Sequence, residues 1–278
     1  AFTTDAAQLY DLTIFAGATN VFDHGRVDTD ENTRTVSFSS MPDARVVMGP
    51  ASREGNDPGE IRLGNVGDSS FQHVFQEWDY LDGGHNKEKA SWLALPDGAS
   101  SLGSLDAEAG AVSVKHAWKT VSFERTFSSI PVVIPTVTTK NGWAAVVTRL
   151  RNVSTTGFQI RLQEEEAADD IHHFETVHWV AIEPGATGAN GHKIEVGHTG
   201  DVVTESNVFI WVPSNMSDSP KFLAAAQTYG GPDPASLRFS KANMGILGEA
   251  IAVHMDEEQS QDNETDHSAE NVGYIFID

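Results

Sequence analysis

The sequence predicts an all-β protein of three tandem small antiparallel β-sandwich modules. Three observations predict it. No stretch of the 278 residues carries a sustained apolar period of 3.6, which an amphipathic helix requires. Short runs rich in Val, Ile, Thr and Phe, such as Val132-Val133-Ile134-Pro135-Thr136-Val137, alternate instead with Gly, Pro, Asn and Asp clusters. That is how short strands joined by turns read. Finally, one spacing occurs three times: a His, a Glu three residues on, and an aromatic four further. The copies are His85-Glu88-Trp92, His172-Glu175-Trp179 and His267-Glu270-Tyr274. A pattern repeated at long period marks one structural unit used again.

In chain order, residues 1–30 are a lead-in with weak strand alternation over residues 9–15. The first module occupies 1–103, the second 104–188 and the third, diverged copy 189–278. The first two align without a gap from Ile61-Arg62-Leu63 over Thr148-Arg149-Leu150 to the ends of their closing strands. In the third, Leu237-Arg238-Phe239 takes the Thr-Arg-Leu place, Glu257-Glu258 approximates Glu164, and the Glu-to-His spacing is longer. Linkers are expected at residues 97–103 and 184–191, where Gly, Ser and Pro cluster. In the second module, strands are expected over residues 119–123, 131–138, 145–150, 157–162 and 177–182.

The formal charge of −22 excludes a nucleic-acid partner and an anionic membrane surface. It fits a solubilising surface or a saline habitat. The chain has no cysteine, so disulfides and thiolate metal sites are excluded. No apolar run approaches the ~20 residues that span a bilayer. The chain begins with Ala1. These features lead us to expect a trimmed, secreted or cell-surface protein.

The repeated His and Glu invite two readings. Alternation on a strand puts residues three apart on opposite faces. His172 must therefore sit in the loop before the closing strand if it is to meet Glu175. With Glu164, the pair offers two carboxylates and an imidazole, a donor set for a transition metal. The acidic loops, Glu164-Glu165-Glu166 with Asp169-Asp170 and Asp256-Glu257-Glu258 with Asp262 and Asp266, could hold Ca²⁺ but lack an EF-hand pattern. No cofactor is required. The other reading is structural: each module pairs an Arg with its own Glu, Arg62 with Glu88, Arg149 with Glu175 and Arg238 with Glu270. Each bidentate pair would pin two strands.

The order of strands in the second module resembles the H-type lectin domain. The likeness rests on Val121-Ser122-Phe123, Phe127 with Pro131 and Val133, Arg149 with Asn152-Val153, Gly157-Phe158-Gln159-Ile160, and Trp179-Val180-Ala181-Ile182. It is best over residues 112–185, partial in the first module and weak in the third. The resemblance implies a six-stranded antiparallel sandwich, trimeric assembly and sugar binding, often of N-acetylgalactosamine. Three copies in one chain would then imitate the trimer, as a monomeric pseudo-trimer; a homo-oligomer is the alternative. The Glu-x₇-His-x-x-Glu element has no counterpart in that pattern, so no sugar-contacting residue is carried over.

A glycan or polysaccharide is the expected partner, held by Trp78, Tyr80, His85 and Trp143, with Trp78 and Tyr80 on a stretch specific to the first module. Aromatic faces stack on sugar rings, and Trp143 follows Lys140-Asn141-Gly142 in an expected hairpin turn. Two other classes stay open. A polysaccharide lyase could use His85, Tyr80, Arg62 and Lys87, and a hydrolase two carboxylates across a cleft. A structural surface or adhesin module would need no site.

Overall fold

In each sandwich one strand, β3 (Ala44–Ser52), β10 (Val132–Val137) or β17 (Lys221–Ala226), divides its side chains between two cores. Val46, Val133 and Phe222 point into their own sandwich. Their neighbours Val47, Val132 and Leu223 point into a core drawn from all three modules. Alternation at period 2 dictates this, and near-continuous apolar runs are its signature in the sequence. The shared core also takes Leu93, Val180 and Ile275 from the three closing strands. Each fully buried aliphatic side chain contributes about 1.5–3 kcal/mol, so the shared core holds the modules against one another.

The computed structural model describes residues 21–278 except 246 and 247. The expected strand over 9–15 lies outside the described residues. Every described element of length is a strand. The first module comprises β1 (Asp23–Thr29), β2 (Arg34–Ser37), β3, β4 (Gly59–Gly64), β5 (Ser70–Glu77) and β6 (Glu88–Pro96). They form one layer in the order β1-β6-β3 and another in the order β2-β5-β4. The second module repeats this with β8 (Leu105–Val114), β13 (Glu175–Ile182) and β10 over β9 (Lys119–Ser122), β12 (Gly157–Gln163) and β11 (Val147–Ser154). The third does so with β15 (His192–Val203), β20 (Glu270–Ile277) and β17 over β16 (Val208–Trp211), β19 (Glu249–Glu257) and β18 (Ala235–Asn243). The sequence expectation of an all-β chain of small antiparallel sandwiches therefore holds.

The two expected linkers are strands. Residues 98–102 form β7 (Gly98–Leu102) and 185–189 form β14 (Gly185–Ala189), hairpin partners of β8 and β15. The turns explain this. Gly103, Asn190 and Gly191 have positive φ, which tight two-residue hairpin loops require.

The repeated aromatic of each closing strand has a repeated partner. Trp92 lies opposite Gly25, Trp179 opposite Gly110 and Tyr274 opposite Gly197 on the adjacent strand. A Cβ on these glycines would meet the ring at 2.7, 2.5 and 2.6 Å. The ring covers a bare stretch of backbone and fills the sandwich interior, which fixes register.

The modules join cyclically. Strand β18 of the third pairs in parallel with β3 of the first at Arg238–Ala51 and Phe239–Ser52, giving a six-stranded sheet. Side chains cap strand edges elsewhere. Thr136 and His178 of the second module serve the backbone of β3, at Met48 and Val46. Gln227 of the third serves Val133 on β10, taking its N–H at 2.9 Å and donating to its C=O at 2.8 Å. Ser91 of the first accepts the Phe222 N–H on β17 at 3.0 Å. Edges that would otherwise invite foreign strands are thus closed from within the chain.

Candidate functional site

Glu88, Glu175 and Glu270 open their closing strands, and each carboxylate is the hub of the same buried cluster. Glu88 accepts the Ser52 hydroxyl at 2.6 Å and the backbone N–H groups of Glu54 and Gly55 at 2.8 and 2.7 Å. Glu175 accepts the Thr139 hydroxyl and the N–H groups of Asn141 and Gly142, both at 2.8 Å. Glu270 accepts the Thr228 hydroxyl and the Gly230 N–H, the latter at 2.8 Å. Each hydroxyl in turn accepts the N–H of the residue after its Glu, namely Lys89, Thr176 or Asn271. The carboxylate therefore ties the start of the closing strand to the loop after β3, β10 or β17, its neighbour in the same layer.

The histidine sits in the loop before the strand, as the alternation argument requires. It bridges two carboxylates. His85 bonds Glu77 through Nδ1 at 2.7 Å and Glu88 through Nε2 at 3.0 Å. His172 bonds Glu164 at 2.7 Å and Glu175 at 3.3 Å. His267 bonds Glu257 at 2.8 Å and Glu270 at 3.4 Å. The looser second bonds belong to the second and third copies. The small loop residue beneath the ring is required: a Cβ on Gly55 or Gly142 would stand 2.9 or 2.5 Å from the imidazole.

The arginine comes from a different module. Arg238 of the third reaches Glu88 of the first at 2.9 Å, and Arg149 of the second reaches Glu270 of the third at 3.2 Å. Arg62 of the first lies 3.6 Å from Glu175 of the second. The expected pairing within modules is therefore corrected: Arg62 does not meet Glu88, nor Arg149 Glu175, nor Arg238 Glu270. The physical reason is strand position. Each Arg projects from β4, β11 or β18, in the layer opposite the closing strand, and at the seam it faces the next sandwich. A second bond steadies each one, from Arg62 to Gln76, Arg149 to Gln163, and Arg238 to Asp256.

This geometry sets the charge states. Burial opposes a charge on His85 and His267, but hydrogen bonds to the paired carboxylates outweigh it and raise both pKa values. Burial would raise Glu88, yet the bonds from His85, Ser52 and the loop N–H groups pull it down to about 2. Glu175 is lowered against its burial by the Gly142 N–H, Thr139, the Asn141 N–H and Arg62. Glu270 is lowered by His267, Thr228, the Gly230 N–H and Arg149, again against burial. Each cluster is a carboxylate–imidazole–carboxylate chain closed by a guanidinium, with its donors directed at carboxylate oxygens.

The metal reading of Glu164, His172 and Glu175 is corrected accordingly. The three side chains meet, but as a linear chain of hydrogen bonds. Both ring nitrogens face carboxylates instead of turning one lone pair towards a common centre. Among the described residues no group of three or more His, Asp or Glu side chains converges to hold a metal. The acidic loops offered for Ca²⁺ use carboxylates on backbone and on side chains: Glu258 accepts the N–H of Glu166 and of Ser260, each at 2.7 Å, and Asp170 accepts from Arg161 at 2.5 Å. Glu166 shares a hydrogen bond with Asp233, and this with burial and nearby carboxylates lifts it to about 7.

The four expected ligand contacts divide. His85 is buried in its cluster and Trp78 is 2% exposed, sealing the first-to-second seam against Ala145 and Val147. Neither can meet a ligand from solvent. The lyase-type set fails with them, because Arg62 is also buried and faces Glu175. Tyr80 is half-exposed where three loops meet: its N–H donates to Glu165 at 3.3 Å and its hydroxyl accepts the Gln259 N–H at 3.1 Å.

Trp143 is 90% exposed. Its segment is not a hairpin, since β10 and β11 lie in different sheets. The segment is nonetheless pinned. The N–H groups of Asn141 and Gly142 bond Glu175, the Trp143 carbonyl accepts from Gln76 at 3.4 Å, and the Ala145 N–H donates to Asp79 at 3.0 Å. Two modules thus hold one indole out into water.

Sequence reasoning missed the hydroxyls of the clusters, although a signal exists. Ser52…Gly55, Thr139…Gly142 and Thr228…Gly231 repeat a hydroxyl residue three before a glycine. It also passed over Trp118 and Tyr229. They stack edge to face with centroids 5.3 Å apart across the second-to-third seam, Arg151 lying over Trp118 and Arg149 over Tyr229.

No family model matches the chain, and no solved structure matches it. Among curated proteins it is similar to "Halomucin" of Haloquadratum walsbyi (strain DSM 16790 / HBSQ001), with 29% identity over 232 residues. The match covers 79% of this chain and 2% of Halomucin, so the chain spans a very small part of that protein's length.

Proposed function

We propose that this chain is a non-catalytic, lectin-like, glycan-binding module of a secreted or cell-surface protein. The observation that carries the reading is Trp143. An indole 90% exposed on a segment fixed at four backbone groups is a contact residue ready before its ligand arrives. Pre-fixing lowers the entropy lost on binding, and a flat aromatic face suits the apolar face of a sugar ring. The strand order of each sandwich supports likeness to H-type lectins, and the mucin in the name of the similar protein supports a place at the cell surface. The His and Glu residues that suggest catalysis are occupied in buried clusters out of reach of substrate.

A Trp143→Ala variant tests this. Trp143 carries no packing, so thermal stability is expected to stay within about 0.5 kcal/mol of the parent. Affinity for the glycan found on an array or by affinity electrophoresis is expected to fall about tenfold or more, which is ~1.4 kcal/mol. Retention of every glycan interaction in the variant, or no glycan bound across a broad panel, would overturn the reading. A structural module is favoured by the other side of the comparison, the small share of Halomucin that the chain covers. Concentration-dependent assembly without any glycan effect would support that reading.

A further inference from the structure

The repeat supplies its own control for one cleft. Between the first and third sandwiches lies a cleft of about 340 Å³ bordered by Arg26, Arg53, Lys89 and Lys241, with Phe222 and Phe239 in its wall. Small-ligand sites begin near this size. Four of the chain's 18 Lys and Arg residues gather here, on a protein of formal charge −22. A single carboxylate, Glu54, lines the cleft with them. Lys89 approaches it only to 3.7 Å, and Arg53 stands 3.7 Å from Asp256. Arg26 spends its guanidinium on Ser219 and on the carbonyls of Ser219 and Pro220. Lys241 forms no ion pair with any described residue.

The equivalent cleft between the second and third sandwiches measures about 410 Å³. Its frame is the same. Arg26 and His198 each follow the glycine under the closing aromatic. Lys89 and Asn271 each follow the hub Glu. Lys241 and Asn152 each lie three beyond the seam Arg. At the remaining seam these positions hold Ala111, Thr176 and Asn65. The fold therefore closes its seams without cations at these places. Three positive charges appear together at one seam only, against a general depletion of positive charge.

We infer that the first-to-third cleft is a binding site for an acidic sugar, one bearing a sulfate ester or a carboxylate. The cations supply charge and N–H donors for an oxyanion, while the surrounding acidic surface excludes anions elsewhere. This site is separate from Trp143 and stands without it.

Titration calorimetry on the full chain, in low-salt buffer, tests the inference with galactose 6-sulfate, glucuronate and galactose. The sulfated sugar, the uronate or both are expected to bind, galactose is not, and added salt is expected to weaken binding. Which acidic sugar binds tells sulfate from carboxylate recognition. A Lys89→Glu/Lys241→Glu variant is expected to lose at least about tenfold in affinity, a readily resolved change. A charge-matched Lys115→Glu/Lys119→Glu variant, outside the cleft, and Trp143→Ala are expected to keep it. Equal binding of galactose, no binding of either acidic sugar, or equal loss in the two charge-reversal variants overturns the inference. So does salt-reversible self-association that the cleft variant abolishes without any sugar binding, which would assign the cleft to an acidic segment of another copy. Failure of the Trp143 test with the acidic-sugar result intact would remove only the first site.

Discussion

At the scale of single residues, His85 and His267 tie stability to pH. Both hold a proton more tightly in the folded chain than in the unfolded one, where the ordinary value is about 6.5. Their contribution is complete below about pH 6.5 and is lost as pH rises through their raised folded values. Glu257, raised by burial, acts in the same direction. Glu88 runs the other way: its contribution is present above about 4.5 and fades as pH falls towards about 2. Denaturant midpoints are thus expected to decline as pH rises from about 6.5. A His85→Gln/His267→Gln variant is expected to be less stable overall and to show a shallower decline. An equally steep decline in that variant would place the titration elsewhere. Much of this was legible in the sequence, because the His-x-x-Glu spacing put His172 in a loop beside Glu175. The arginine partner was not legible. Arg62 is as compatible with Glu88 as with Glu175 on spacing alone, and only the packing of modules decides between them.

At the scale of strands, the edge of β10 shows how the copies depend on one another. The Gln227 amide satisfies both the N–H and the C=O of Val133 and also donates to the Ala225 carbonyl at 2.9 Å. Gln227→Leu keeps much of the volume but leaves that buried backbone unpaired, at ~1–3 kcal/mol for each group. The expected result is a loss of a few kcal/mol in denaturant unfolding, with faster amide exchange at Val133; an unchanged midpoint would show that water replaces the amide. The strands themselves were largely readable, since runs such as Val132–Val137 alternate between two cores and are apolar at all but one position. The hairpins β7 and β14 were not, because Gly98-Ala99-Ser100-Ser101 lacks the β-branched and apolar residues that mark a strand. Pairing with β8 supplies what local propensity does not. Trp78 misled for a related reason: a loop aromatic looks the same in sequence whether it meets solvent or the neighbouring sandwich.

At the scale of the molecule, three sandwiches close a ring in which each hands one guanidinium to the next. The order is Arg62 to Glu175, Arg149 to Glu270, and Arg238 to Glu88. With the shared core, this makes the three copies one cooperative body. Among the described residues no helix is long and apolar enough to cross a membrane. The seams are unequal. Arg238 makes the shortest contact with its Glu and also bonds the Ser52 and Asp57 carbonyls, whereas Arg62 stands off at 3.6 Å. Scanning calorimetry of the parent beside Arg62→Met and Arg238→Met tests the ring most directly. Breaking a buried pair from one side costs about 3–5 kcal/mol, so Arg238→Met is expected to lower the unfolding temperature of the whole chain within one transition, and Arg62→Met to lower it less. Three separable transitions in the parent, or an Arg238→Met variant that melts with the parent, would contradict the account.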